Sequence, residues 1–320
     1  MLLSVGDPHD LTAVYVGWLA ERRGLEVLEL PEDRYGAEWW INVDEAADAA
    51  QLVVRGEPVA TARVRGAFVR FHPEPTLPQG WELGDAAREL FVQERRAAIS
   101  EGIESLGVPL VNRPSAGRSN GSKPMHMARL GRLGFAVPEW IAANDPAAVR
   151  RFLSDHPAGA VVKASSGLRS RVRLADADYL SRVAQGTTPS IVQRFVPGHE
   201  VRVHVVGRRV FAARIEASAV DYRFDAEHVR YRRDEVPEAI ARLCVDAAAR
   251  EGLTLAGLDF RVDPRGTWWC LEMNPVPTFL PYEASSGCAI GDAVLDYIMG
   301  IDEVTSERSP LAELVRAAEA

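Results

Sequence analysis

Gly257–Val262 reads GLDFRV and Trp268–Pro275 reads WWCLEMNP, with Asp263-Pro264-Arg265-Gly266 between them. Two apolar runs joined by such turn residues read as a β-hairpin, with strands over Leu255–Val262 and Thr267–Met273. Side chains alternate along a strand, so Glu272 and Asn274 point to one face, and Asp259 is expected on the neighbouring strand facing them. Two carboxylates and an amide oxygen make a hard, all-oxygen set that suits Mg²⁺ and leaves positions for phosphate oxygens. A solvated hairpin face is the alternative reading. It fits poorly, because Trp268, Trp269, Cys270, Leu271 and Met273 make this strand apolar, and carboxylates in apolar surroundings need partners.

A second signal comes from the cations. Of 37 basic residues only Lys123 and Lys163 are lysines, and the other 35 are arginines. A chain that uses arginine so widely keeps lysine where a compact ammonium on a flexible stem is required, and phosphate binding often uses such a point charge. Chance persistence is the competing explanation. Lys123 opens a helical stretch, Lys123–Gly134, after a loop of small polar residues over Ser115–Gly121. Lys163 lies in a buried-type strand, Ala160–Ala164, followed by Ser165, Ser166 and Gly167, whose backbone N–H groups can face phosphate. In the same loop Arg169 and Arg171 either add charge or are solvated.

The rest of the chain reads as mixed α/β. Leu2–Val5 and Leu25–Leu30 flank helical periodicity over Leu11–Arg23, a βαβ opening that predicts parallel strands. A polar hairpin signal around Arg55–Pro58 precedes a strand over Ala62–Phe71, Val108–Val111 reads as a strand and Trp81–Leu106 as a long helix. Beyond Asn112-Arg113-Pro114, a strand begins at Pro138–Ile141 and a helix runs from Asn144-Asp145-Pro146 to Leu153. Ser190–Phe195 is a strand, and Val201–Val206 with Arg209–Ile215 forms a hairpin. Pro237–Glu251 is a helix, Tyr282–Gly291 and a helix over Asp292–Met299 close the fold, and a charged tail follows as a surface helix or frayed end. Divisions are expected at 1–111, 112–192, 193–302 and 303–320.

The length of 320 residues suggests about two domains, and 47% hydrophobic with 26% charged residues is ordinary globular composition. A net charge of −8 argues against nucleic acid and anionic membrane as partners. Cys244, Cys270 and Cys288 show no metal spacing and no disulfide framework, so a reduced, cytoplasmic setting is expected, with Cys270 and Cys288 as packing residues. The first residues, MLLSVGDPHD, lack the pattern of a signal peptide, and no apolar run approaches the ~20 residues of a membrane span. His9 and His126, near loops or helix starts, could touch substrate but read as structural, since a lone histidine more often is; the Trp39-Trp40 pair reads as cover for a core or an interface, and Asp44–Asp48 as a solvated helix face.

In order along the chain these motifs resemble the ATP-grasp ligases. Asp259, Glu272 and Asn274-Pro275 are similar to the metal-binding end of that fold. Lys123 and Pro138, fifteen residues apart in NRPSAGRSNGSKPMHMARLGRLGFAVP, are similar to its entry, and Lys163 to its second lysine. The resemblance implies an adenine-binding hinge at Gln193, Arg194, Phe195 and Val196, and ribose contact by Glu200. It also implies that Arg202 and Arg223 lie near phosphates or the reacting carboxylate. Within the superfamily the strings DYR, LDFR and LEMNP are similar to ribosomal-protein-modifying (RimK-type) ligases and to peptide-maturing ligases of the microviridin, or graspetide, type. Two stretches depart from the pattern: the arginine-rich SSGLRSRVR after Lys163, and PVPTFLPYE after Asn274, which replaces a glycine-containing turn and borders the acceptor site.

The implied architecture is an ATP-grasp fold: an N-terminal pre-ATP-grasp α/β domain, a central lid and a C-terminal metal-binding domain. The implied reaction is ATP- and Mg²⁺-dependent ligation of a carboxylate to an amine or hydroxyl through an acyl phosphate, with ADP released and no protein nucleophile needed. The substrate is expected to be a peptide or protein, or alternatively an amino acid or small natural product, and a homodimer is an open assembly. A nucleotide-holding regulatory module and a kinase on the same fold are the rival readings.

Overall fold

Leu2–Gly6 forms strand β1, Asp10 caps helix α1 (Leu11–Arg22) by accepting from Ala13 N at 2.9 Å, and β2 (Val27–Pro31) returns parallel to β1. The expected βαβ opening is therefore present. This computed structural model describes residues 1–44, 50–71, 77, 82–166, 172–186, 188–217, 229–301 and 308–319. A small antiparallel sheet follows, β3 (Trp39–Asn42), β4 (Gln51–Val54) and β5 (Glu57–Pro58). Trp39 is buried in the core there, with its Nε1 donating to Pro31 O at 2.8 Å, whereas Trp40 is only half-buried. Of the acidic stretch, Asp44 is exposed and non-helical, and 45–48 lie outside the described residues.

The strand expected over Ala62–Phe71 is shorter, β6 (Gly66–Arg70), because a 3₁₀ turn occupies Thr61–Arg63. Helix α2 (Asp85–Ser105) starts after Gly84, later than the pattern suggests, and Trp81 is outside the described residues. With β7 (Leu110–Val111) the first sheet is all-parallel in the order β2-β1-β6-β7.

The middle of the chain comprises α3 (Lys123–Arg132), β8 (Trp140–Ala143), α4 (Pro146–Asp155), β9 (Ala160–Ala164), β10 (Arg173–Leu174), α5 (Ala177–Ala184) and β11 (Ser190–Arg194). Its antiparallel sheet has the order β10-β9-β11-β8, and α4 and α5 pack on one face through Val149, Phe152, Tyr179 and Val183.

The third part holds β12 (His199–Val206), β13 (Arg209–Glu216), β14 (Arg230–Arg233), α6 (Glu238–Arg250), β15 (Leu255–Val262), β16 (Trp268–Asn274), α7 (Leu280–Ser286), α8 (Ile290–Met299) and α9 (Pro310–Glu319). Its antiparallel sheet runs β14-β13-β12-β15-β16. The closing segment expected over Tyr282–Gly291 divides into two helices, because Gly287 adopts φ +73° and ends α7 in a left-handed cap. The charged tail is a packed helix: α9 lies on α7 with Ala312 buried. Among the described residues no helix is long and apolar enough to cross a membrane.

Two polar clusters join these parts. Glu283 is fully buried and accepts from Tyr15 Oη at 2.6 Å, Ser309 Oγ at 2.6 Å and Gly291 N at 2.8 Å. Around it the apolar face of α1, with Val16 and Leu19, packs against Ile290, Ala293 and Val294 of α8. Asn112 forms the other junction. Its Oδ1 accepts from Thr254 N and Leu255 N at 2.9 and 2.8 Å, and its Nδ2 donates to Leu255 O and Pro275 O at 2.6 and 2.5 Å. One side chain thus ties the link after β7 to the start of β15 and the end of β16. Asn112→Ala leaves one buried and one half-buried backbone donor without acceptors and is expected to destabilise the protein by roughly 3 kcal/mol, read as a lower urea midpoint.

Candidate functional site

The β15–β16 hairpin is built by its turn. Asp263 Oδ1 accepts from Arg265 N and Thr267 N at 2.9 and 3.0 Å, and its Oδ2 accepts from Trp269 Nε1 at 3.0 Å, which together hold its carboxyl below the usual range. In the ladder Asp259 stands opposite Glu272, and Gly257 opposite Asn274. A bulge follows, since the next pair is Phe260 with Cys270 and Leu271 is the extra residue. That insertion resets the alternation. Cys270 and Met273, three apart, both enter the core, while Glu272 and Asn274 lie on the other face. The same alternation on β12 sends Val201, Val203 and Val205 inward and leaves Glu200, Arg202 and His204 on the face that carries Asp259.

Arg202 sits directly across from Asp259 and is 5% exposed, with Nη1 donating to Asp259 Oδ1 at 2.7 Å. His204 Nε2 lies 3.4 Å from its Nε, and the Tyr282 ring lies 5.8 Å from its guanidinium carbon. Burial and the neighbouring guanidinium keep His204 neutral, well below the ordinary imidazole range. Gly257 makes room for this arrangement: a Cβ there would stand 2.1 Å from Arg202 Nη2 and 2.6 Å from Pro277 Cβ. Gly257→Ala is therefore expected to displace the guanidinium from Asp259 and cost about 2 kcal/mol through overpacking, seen as a lower urea midpoint together with weakened activity.

Among the described residues nothing hydrogen-bonds or pairs with the Glu272 carboxylate, although its strand is apolar. Asp259 has given one oxygen to Arg202, and Asn274 Oδ1 accepts from Val276 N at 3.1 Å. Also among the described residues, no three His, Cys, Asp or Glu side chains cluster to hold a metal. Two carboxylates and an amide oxygen on one face are a donor set that would fit Mg²⁺.

The lysines lie on the neighbouring sheet and helix. Lys123 is the first residue of α3; its N donates to Ser165 O at 3.1 Å and its Nζ to Ser166 O at 2.7 Å. Lys163 Nζ donates to Gln193 Oε1 at 2.7 Å, and Gln193 Nε2 lies 3.9 Å from Met127 Sδ on α3. Ser165 Oγ donates to Pro189 O at 2.9 Å. Lys123, Lys163, Ser165, Ser166 and Gln193 thus form one group around the start of α3. Gly167, Arg169, Arg171 and Arg223 lie outside the described residues.

The segment from Arg194 to Glu200 is fastened to the hairpin. Arg194 pairs with Glu139 and stacks on Trp269 of β16 at 4.5 Å. Phe195 N donates to Gly159 O at 3.0 Å, Val196 is buried, and Arg261 covers the Phe195 ring at 5.3 Å. Arg261 also donates to Glu200 Oε1 at 3.0 Å and to Gly198 O at 2.9 Å.

The sequence reads His126 as structural without showing what it holds, and it passes over Arg70 altogether. His126, on α3, is buried and accepts from Met273 N at 2.9 Å through Nε2. Burial, with Lys123 and Arg129 nearby, pushes its pKa down to about 4, so it is neutral. Arg70 of β6 is buried against Asp10 and donates to Pro277 O at 3.0 Å, so the first sheet also reaches the loop beyond Asn274. Position in the strings signals neither role. All three cysteines are buried, and burial raises the thiols of Cys244 and Cys270.

No family model matches the chain. Among solved structures, the ATP-grasp ligase PsnB, in a complex with minimal precursor, is 26% identical at a TM-score of 0.77, over 93% of this chain and 98% of that one. PsnB has also been solved with minimal precursor, Mg and ADP, at a TM-score of 0.75. The macrocyclase MdnC from Microcystis aeruginosa MRC, bound to its precursor peptide MdnA, is 20% identical at 0.74, over 93% and 99%. A RiPP-associated ATP-grasp ligase from Chryseobacterium gregarium, with ADP and a leader and core peptide, is 18% identical at 0.78, over 96% and 98%. The likeness to the last two is one of fold.

Proposed function

We propose that this chain, which has the ATP-grasp fold, uses ATP to join a carboxylate to an amine or hydroxyl on a precursor peptide. It is an ADP-forming ligase, as its likeness to PsnB over nearly the whole chain supports. The single observation that carries the residue assignment is the shared face of β12, β15 and β16, where Asp259, Glu272 and Asn274 meet beside the Arg202 ion pair.

The chemistry follows from the groups on that face. A carboxylate oxygen is a poor leaving group, so the substrate carboxylate attacks the γ-phosphorus of ATP, giving an acyl phosphate and ADP. The amine or hydroxyl then adds to the acyl carbon and expels inorganic phosphate. Lys123 and Lys163 hold the triphosphate from the α3 and β9 side, with the Ser165 and Ser166 backbone beneath it, and Gly167 is assigned to the same role from the sequence pattern. Gln193, Arg194, Phe195 and Val196 enclose the adenine, and Glu200, steadied by Arg261, takes the ribose hydroxyls. Asp259, Glu272 and Asn274 would hold Mg²⁺, which would screen the phosphate charge. Arg202 is preset by Asp259, Gly257 and His204 to face the acyl phosphate and the later tetrahedral oxyanion. Arg223 is assigned to the same charge from the sequence pattern.

The test is release of ADP and phosphate with Mg²⁺ and ATP against candidate precursor peptides and, separately, amino acids. Release that requires a peptide, with a mass loss of one water in that peptide, is the expected result. Release driven by amino acids alone would reassign the substrate, and a phosphorylated product without free phosphate would make the chain a kinase.

A further inference from the structure

We propose that His126 is a positioning residue that sets the metal-ligand strand against the phosphate-binding lysines. The proposal rests on the ligase reading and concerns residues to which that reading gives no role. Strand β16 is the outer strand of its five-stranded sheet, so its outward backbone N–H groups need partners from elsewhere. Cys270 N finds Ala136 O at 2.8 Å, and Met273 N finds His126 Nε2 at 2.9 Å. Met273 lies between Glu272 and Asn274, so this one bond fixes the main chain that carries two of the three oxygen donors.

The imidazole is itself oriented. Its Nδ1 lies 3.3 Å from Ser119 Oγ, which is 3.5 Å from Glu251 Oε2, and Glu251 pairs with Arg129 of α3. The carboxylate draws the Ser119 hydroxyl proton, the hydroxyl oxygen accepts from Nδ1–H, and Nε2 is left as the acceptor that Met273 requires. His126 stands one turn after Lys123 on α3, and the next residue, Met127, touches Gln193, the partner of Lys163. A single helix therefore spaces both lysines from the carboxylates. A histidine that merely filled the core would need no such alignment.

The experiment titrates Mg²⁺ against ADP binding by the full chain, with ADP binding in EDTA as the reference. In His126→Leu the half-saturating Mg²⁺ concentration is expected to rise about 10- to 100-fold, while metal-free ADP affinity stays within about twofold. His126→Gln places an amide oxygen where Nε2 was and should recover most of the loss, whereas the shorter His126→Asn should not. Equal losses with and without Mg²⁺, or a folded Leu variant with wild-type Mg²⁺ dependence, would overturn the proposal. If the Leu variant fails to fold, the Gln and Asn pair decides, and identical Mg²⁺ dependence in the two overturns it. A wild-type protein whose ADP binding ignores Mg²⁺ would sink the metal assignment of the ligase reading first, and this inference with it.

Discussion

Glu272→Ala is expected to abolish ligation and leave the fold intact. Glu272 is half-buried on an apolar strand, and among the described residues it has no hydrogen-bonding or ionic partner, so its removal breaks no internal bond. Relief of a desolvated carboxylate should hold the urea midpoint level or raise it slightly. The loss falls on the chemistry. Asp259 is committed to Arg202 through one oxygen, and Asn274 to Val276 N, so neither can replace a lost anionic donor. Turnover should drop by at least about 10³-fold, the several kcal/mol that a catalytic cation supplies. Phosphate release measured beside a denaturation curve checks both halves, and full activity in the variant would remove Glu272 from the metal set.

Lys163 gives the second large effect. Lys163→Ala should raise the Kd for ATP about 10- to 100-fold, the range of a charge-assisted hydrogen bond to phosphate. It should also cost roughly 1–2 kcal/mol of stability, because Gln193, 1% exposed, loses the donor to its Oε1. Lys163→Arg is the informative companion. The guanidinium fork is wider than an ammonium and cannot occupy the same place against Gln193, so the Arg variant should restore little. Calorimetric titration with ATP separates the cases. Wild-type affinity in Lys163→Arg would mean that the two surviving lysines carry no information.

Much of the fold was legible because its strands alternate cleanly. The period-two pattern of Leu255–Val262 and the Asp263–Gly266 turn give the hairpin directly, and the facing of Asp259 and Glu272 follows from it. The bulge at Leu271 is a different matter. It depends on Cys270 and Met273 both finding the core, which is a property of the packed sheet and not of the strand. Of the sheet over Trp39–Pro58 only the hairpin signal around Arg55–Pro58 was legible, and it is the β4–β5 turn; strands of two to four residues are too short for a period to show. The partners of His126, Asn112 and Arg70 were invisible for one shared reason. Each of these side chains acts on backbone atoms more than 140 positions away, at Met273, Leu255 and Pro277, and no local pattern encodes such a partner. Gly257 carries no signal at all until Arg202 is seen lying over it.

The junction between α1 and α8 has a bearing on how the chain is made. Tyr15 meets Glu283 across 268 residues, and the side of α1 turned away from its own sheet is covered by the α8 segment. At synthesis rates of 5–20 residues per second, roughly 15–50 s pass between the emergence of the first helix and of its cover. During that interval Val16, Leu19 and their neighbours leave the ribosome without the surface they are shaped to fit. The first part makes one core of its own, from Leu3 to Leu110. Its other face, on α1, is finished only when the C-terminal helices arrive.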